Sequence, residues 1–324
     1  MILKNDYKPK KFGKEYVKIN GSTQYPMFVG TALGIKSCFD DWSEISKFDE
    51  FKKICKDYGL YIEPDVIFSQ TQKNKKNIIG GNNITTTFFE GIKFGKNLPK
   101  QGNVHVYISK SKSKTILAKK FGWYSVIINN RSINKPFIDH LKFGEILGFP
   151  KCCIEFFKKY NNWHLYNHPY EIFKNTTINT NKAIGSYYCN NFLMDHTYFY
   201  IHNLPCSYRC KKTIDFAKKI ELKISQVEKN FTKKTISLLK KPLLIFGERN
   251  FIIFDGIKKN NEIKYTNCQY FSNPGKVEEK INFFNFIEKG NKILFENNIL
   301  NIYKNNSKIF SINNNKNWFM INFD

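Results

Sequence analysis

Three stretches in the first third of the chain are strand-like in their run of apolar and β-branched positions: PDVIFSQ (64–70), VHVYISK (104–110) and YSVIIN (124–129). Between the last two, KSKTILAKKFG (112–122) has helical spacing, with Gly122 placed as a C-cap. Strand, helix and strand over 104–129 predict a βαβ crossover, and with it a partly parallel sheet. The polar, Gly- and Asn-rich stretch QTQKNKKNIIGGNNITTT (70–87) reads as a mobile loop.

The middle of the chain changes period. Phe216, Ile220, Ile224, Val227 and Phe231 recur at three- and four-residue spacing, so one stripe faces a core and the Lys-rich remainder faces water. Residues 207–241 read as a basic helical face. From Pro242 onward, short apolar runs alternate with polar turns, and Asp255-Gly256 and YKNNSK (303–308) read as hairpin punctuation. The expected fold is mixed α+β and α/β. It has a small α/β domain over 1–135, a helical cysteine-bearing domain over 136–241 and an antiparallel β-rich subdomain over 242–324.

Composition adds limits. A chain of 324 residues with 41% apolar content can bury ordinary cores. The apolar run YPMFVGTALGI (25–35) is too short to span a bilayer, and the opening MILKNDYKPKKFGKEY lacks the apolar core of a secretory signal. A cytoplasmic location without a membrane partner is expected. The net charge of +25 points to a polyanion such as RNA or DNA docking on the 207–241 face. It also matches the joint excess of Lys, Asn, Ile and Phe that an AT-rich genome encodes, so charge alone does not choose.

Eight cysteines are too sparse here for a disulfide scaffold. Four of them fall in two short segments, ILGFPKCCIEFFKKY (146–160) and IHNLPCSYRCKKTIDFAKKI (201–220). Pro150 and Pro205 mark two expected helix starts, which puts Cys152, Cys153 and Cys206 in first helical turns. There, unpaired N–H groups and the helix dipole favour a thiolate, and Lys151, Arg209, Lys211 and Lys212 push the same way. Cys206 and Cys210, four apart, are expected on one helix face with Cβ atoms roughly 5 to 6 Å apart. Four thiolates converging from two helix starts can hold zinc or an iron-sulfur cluster. A thiol or vicinal-disulfide redox site and plain buried core cysteines are the competing readings.

Glu155 in the second turn of the first cysteine helix and His202 ahead of Pro205 are the candidate acid/base residues. Asp195, His196 and His140 are weaker candidates. Tyr187, Tyr188 and Cys189 are expected to pack nearby, and Cys38, Cys55 and Cys268 to be ordinary half-buried thiols.

The two motifs together, Leu147-Gly148-Phe149-Pro150 with Cys152, Cys153 and Phe156, then His202, Pro205, Cys206, Ser207 and Cys210, resemble the hallmark of an uncharacterised family, a domain of unknown function in archaea and bacteria. The resemblance covers roughly residues 137–220. It implies that the four cysteines work as a set, and it does not choose their cofactor.

The leading expectation is therefore a protein holding an iron-sulfur cluster or zinc on Cys152, Cys153, Cys206 and Cys210 in an enzyme site. The alternatives are a tRNA- or DNA-binding or modifying factor with a structural metal, and a metal-free thiol oxidoreductase. The chain contains no Walker A loop, dinucleotide G-x-G-x-x-G, C-x-x-x-C-x-x-C or H-E-x-x-H motif, and the sequence names no small-molecule substrate.

Overall fold

The computed structural model describes residues 7–70, 77–78, 86–88, 102–122, 127–128, 131–132, 139–160, 168–180, 184–194, 196–247, 250–271, 283–314 and 318–324. Over these the fold is mixed helix and sheet. The first part runs α1 (Lys14–Asn20), α2 (Tyr25–Ala32), β1 (Phe39–Glu44), α3 (Phe48–Asp57), β2 (Tyr61–Gln70), β3 (Asn77–Ile78), β4 (Thr86–Phe88), β5 (Asn103–Ser109), α4 (Lys112–Phe121), β6 (Ile127–Ile128) and β7 (Arg131–Ser132).

The strands and helix expected over 64–122 form as read, but the parallel crossover does not. The four-stranded sheet has the order β1-β5-β2-β4, and every pairing in it is antiparallel. Among the described residues the chain after α4 does not return to this sheet, in which both edges of β5 are occupied by β1 and β2. Strand β6 pairs instead with β3 and β7. Of the expected 70–87 loop, residues 71–76 and 79–85 lie outside the described residues.

The central part comprises α5 (His140–Ile146), α6 (Lys151–Tyr160), α7 (His168–Thr180), β8 (Ile184–Gly185), α8 (Lys211–Val227) and α9 (Lys229–Leu239). The basic stretch is thus two helices. The break falls at Glu228, which is buried and accepts hydrogen bonds from the Lys10 and Lys11 N–H groups and the Tyr7 hydroxyl, at 2.8, 3.0 and 2.8 Å. The predicted stripe does face inward: Ile220, Ile224 and Phe231 are fully buried in the main core.

The C-terminal part contains β9 (Leu243–Gly247), β10 (Asn250–Lys259), β11 (Glu262–Phe271), α10 (Phe284–Lys289), β12 (Lys292–Glu296), β13 (Ile299–Lys304), β14 (Ser307–Asn313) and β15 (Phe319–Phe323). With β8 these strands build a sheet of order β14-β13-β12-β11-β10-β9-β15-β8, antiparallel except where β15 meets β8. Asp255-Gly256 is not a turn. It lies inside β10, opposite a bulge of β11 at Thr266, and the chain reverses after it through Asn260, which adopts φ 52°. Asn297-Asn298 and Asn305-Asn306 close the next two hairpins with positive φ, as YKNNSK predicts for the second.

Alternation along these strands divides the side chains between two cores. Leu243, Ile245, Phe251, Ile253, Ile321 and Phe323 point into the main core, shared with α2, α8, α9 and the first sheet. Leu244, Ile252, Phe254 and Met320 point to the opposite side, where they meet Phe283 and Ile287 around α10. Among the described residues no helix is long and apolar enough to cross a membrane.

Candidate metal centre

The cysteine site begins with a helix ending. The last turn of α5 is closed by Gly148 at φ 77°, a left-handed conformation that disfavours a Cβ. The Gly148 N–H donates to the Glu145 carbonyl at 3.0 Å and the Phe149 N–H to that of Gly144 at 2.8 Å, the paired bonds of a Schellman closure. Pro150 then stands one residue ahead of α6, and its carbonyl accepts from the Cys153 and Ile154 N–H groups. The Leu-Gly-Phe-Pro segment is therefore a hinge that stops one helix and starts the next, placing Cys152 and Cys153 in the first turn of α6.

The second segment corrects the sequence reading. Pro205 does not open a helix: residues 201–210 form an irregular loop, and α8 starts at Lys211 with Cys210 as its N-cap. Cys206 and Cys210 consequently do not share a helix face. The loop holds its shape because α7 supplies its hydrogen bonds. The Thr176 hydroxyl donates to the Pro205 carbonyl at 2.8 Å, Asn179 Nδ2 donates to the Cys206 carbonyl at 3.0 Å, and the Tyr208 N–H donates to Thr180 Oγ1 at 3.0 Å. An irregular backbone this close to the core needs such partners for its polar groups.

The result is convergence. Cys152, Cys153, Cys206 and Cys210 bring their sulfurs within 4.8 Å of one another. Cys210 Sγ lies 3.7 Å from both Cys152 Sγ and Cys153 Sγ. Cys153 and Cys210 are buried, whereas Cys152 and Cys206 are half-buried and form the outer edge. Thr213 Oγ1 is 3.3 Å from Cys153 Sγ, and the Cys206 N–H points at the same sulfur from 3.4 Å. Beneath the set, the buried Cys189 directs its Sγ at the Cys210 carbonyl from 3.9 Å.

Electrostatics single out one member. Hydrogen bonds from Cys153 and Cys206, then Thr213, hold Cys210 well below the ordinary thiol range. Bonds to Cys206 and Cys210, together with burial, push Cys153 well up. The negative charge expected at the start of α6 is thus favoured at the N-cap of α8, and either sulfur of the Cys153–Cys210 pair can act as donor. This set is compatible with a metal site.

The two acid/base candidates are not members of this group of ligands. Glu155 is exposed and pairs with Lys151 at 3.9 Å on the outer surface of α6. His202 Nε2 lies 3.4 Å from Gln24 Nε2, and its ring meets that of Phe199. His140 packs against Phe157, and burial draws its pKa down. His196 packs at a tilt against Phe271, and Asp195 lies outside the described residues. Tyr187 and Tyr188 stack at 4.1 Å, and their hydroxyls reach Glu221. Cys38 and Cys55 are fully buried rather than half-buried, Cys55 in the main core and Cys38 in a small cluster with Tyr107, Ala118 and Leu147; Cys268 is half-buried as expected.

A second titratable cluster escaped the sequence reading. On one face of the first sheet, His105 Nε2 lies 3.4 Å from Asp40 and its Nδ1 lies 3.3 Å from Asp65. The ring packs on Trp42, its cross-strand partner. Asp65 falls where β2 bulges between Pro64 and Ile67, beside His105. Burial lowers the pKa of His105, but the two carboxylates outweigh it and hold it at about 9. Asp40, which burial would raise, is kept well below the carboxylate range by His105, and His202 adds to that field. Neighbouring Asp41 faces the opposite side, where burial outweighs its bonds from Tyr16 and Asn20 and lifts it to about 7. The period-two alternation of FDDW was the available signal, but pairing β1 with β5 was needed to use it.

Comparison with family models, with curated proteins and with solved structures gives no match to this chain.

Proposed function

We propose that this chain is a zinc protein in which Cys152, Cys153, Cys206 and Cys210 hold one ion as thiolates. The observation that carries the reading is the sulfur spacing. Four sulfurs about 2.3 Å from one ion at tetrahedral angles stand about 3.8 Å apart. The two Sγ–Sγ distances to Cys210 are 3.7 Å, and the whole set lies within 4.8 Å. An iron-sulfur cluster spreads its thiolates over several irons and needs them further apart, so the contraction favours a single ion. Two helix N-termini, those of α6 and α8, face the sulfurs with their positive ends and favour the net negative charge of such a centre.

In this reading the ion ties the start of α6 to the loop held by α7 and the start of α8, two segments 53 residues apart at Cys153 and Cys206. Binding energy then becomes folding energy for the central region. The positions of Glu155 and His202 lend no support to proton transfer at the ion. Elemental analysis of the purified protein tests the proposal: one zinc per chain, lost in Cys153→Ser and Cys210→Ser variants, is the expected result.

A second reading concerns the partner. Lys211, Lys212, Lys219, Lys229 and Lys233 are exposed on α8 and α9, and among the described residues none has a carboxylate partner. Such a face fits an RNA or DNA backbone. A log–log slope of affinity against salt of about −0.7 per phosphate contacted, for single-stranded RNA, supports it. Absence of binding at about 0.1 M salt, where exposed charges are screened beyond about 10 Å, removes it.

A further inference from the structure

The four thiols are not equivalent in their surroundings, and the difference bears on reactivity. Cys153 is 2% exposed and has two neighbouring donor groups, the Cys206 N–H and the Thr213 hydroxyl. Cys210 is 8% exposed, sits at the start of α8 and lies 3.7 Å from the sulfurs of both Cys152 and Cys153. Cys152 and Cys206 are half-buried. Among the described residues, no N–H or O–H group donates to either of their sulfurs.

Around a divalent ion, four thiolates carry a net charge of minus two, and coordination keeps each of them deprotonated at neutral pH. Hydrogen bonds and burial disperse that charge and dull the sulfur as a nucleophile. The two inner sulfurs are dulled in this way, and the two outer ones are not.

Basic residues adjoin the cysteines along the chain. Lys211 and Lys212 follow Cys210 directly in the first turn of α8, both are exposed, and neither has a partner among the described residues. Lys151 adjoins Cys152, although Glu155 shares its charge, and Arg209 is paired with Asp324. The two free lysines and the two helix N-termini together outweigh the negative charge of the centre, each helix contributing about half an elementary charge.

We propose that the Cys152–Cys206 edge is a nucleophilic site that accepts an alkyl group from a soft electrophile carried on an anionic molecule. The step is a displacement. A thiolate electron pair forms a sulfur–carbon bond, the bond from that carbon to its leaving group breaks, and the leaving group departs with the pair as an anion. The product is a thioether, and no oxidant, reductant or further proton is needed. The proposal rests on the metal reading, because coordination is what keeps Cys152 and Cys206 as thiolates at neutral pH.

The test is alkylation of the full chain at neutral pH in one preparation whose zinc content has been measured. Iodoacetate and iodoacetamide serve as the anionic and neutral probes, and peptide mass mapping identifies the modified cysteines. The expected result is modification of Cys152 and Cys206 roughly tenfold faster than of Cys153, Cys210 and the metal-free, half-buried Cys268. The iodoacetate-to-iodoacetamide rate ratio should exceed that of free cysteine in the same buffer. It should fall toward the free value at about 1 M salt, where the screening length is about 3 Å. A Lys211→Ala, Lys212→Ala variant should lose the preference for iodoacetate while keeping its zinc and its iodoacetamide rate. Stoichiometric zinc with uniform labelling, with inner-sulfur labelling first, or with no anionic preference overturns this inference and leaves the metal reading standing. A preparation that binds no zinc overturns both.

Discussion

The ammonium of Lys36 lies 2.8 Å from the carbonyl oxygen of Leu147, the residue that closes α5 and opens the Leu-Gly-Phe-Pro hinge. The side chain is 4% exposed, with the rings of Phe149 and Phe216 beside its charge. A buried lysine from the first part of the chain therefore supports the backbone that launches the first cysteine helix.

Burial draws the pKa of Lys36 down to about 8, and the sign of its linkage follows. A depressed folded pKa contributes stability above the unfolded value near 10.5, and that contribution is lost as pH falls through about 8. Burying the charge thus costs about 3 kcal/mol at neutral pH, and Lys36→Met removes that cost together with a hydrogen bond of about 1 to 3 kcal/mol. The variant should equal wild type or exceed it by up to about 2 kcal/mol at pH 7 and be the less stable of the two at pH 10. Denaturant melts at both pH values check this, and an unchanged difference between them contradicts it.

His105 has the opposite sign. Its pKa is held at about 9 against an ordinary value of 6.5, so its clamp contributes fully below about 6.5 and fades as pH rises through about 9. His105→Gln should therefore cost about 3 kcal/mol more at pH 6 than at pH 10. A pH series of thermal melts reads the difference, and a cost independent of pH would assign His105 to packing alone.

The cysteine set was legible because adjacent cysteines after a Gly-Phe-Pro, and two more after a second proline, are poor candidates for plain core filling in so sparse a pattern. What the sequence could not supply was the course of the loop at 201–210. Pro205 has the look of a helix start, but the hydroxyls of Thr176 and Thr180, a turn apart on α7, hold the chain in an irregular path instead. The antiparallel first sheet was missed for a related reason. Local spacing gives strand, helix, strand, while the neighbours of β5 are set by β1 and β2, both of which precede it. The Asp40–His105–Asp65 cluster depends on the same long-range pairing and on one bulge.

Glu228 divides α8 from α9 and holds the chain near Lys10 through three donors. Its replacement by Ala leaves two backbone N–H groups and a hydroxyl without their acceptor, at about 1 kcal/mol or more for each group. The expected result is a loss of about 3 kcal/mol or more in stability and faster proteolysis ahead of α1, with zinc content unchanged. Limited digestion followed by mass analysis checks the second part, and an N-terminus as resistant as in wild type would refute it.

Metal removal should act through the central helices. A ligand present at a thousand times its Kd stabilises the folded state by about 4 kcal/mol, so chelation should lower the melting temperature by several degrees, and zinc should restore it. Because protons compete with the ion for four thiolates, zinc release should steepen as pH falls below neutral. Inner-ligand variants at Cys153 and Cys210 should lose this response altogether, and a chelator-insensitive melt in wild type would count against the centre.

The most direct measurement is elemental and acid-labile sulfide analysis of protein purified without oxygen, beside a Cys153→Ser, Cys210→Ser variant. One zinc per chain without labile sulfide in wild type, and none in the variant, is the predicted result. Iron with stoichiometric sulfide, or a wild-type protein without metal, would contradict it.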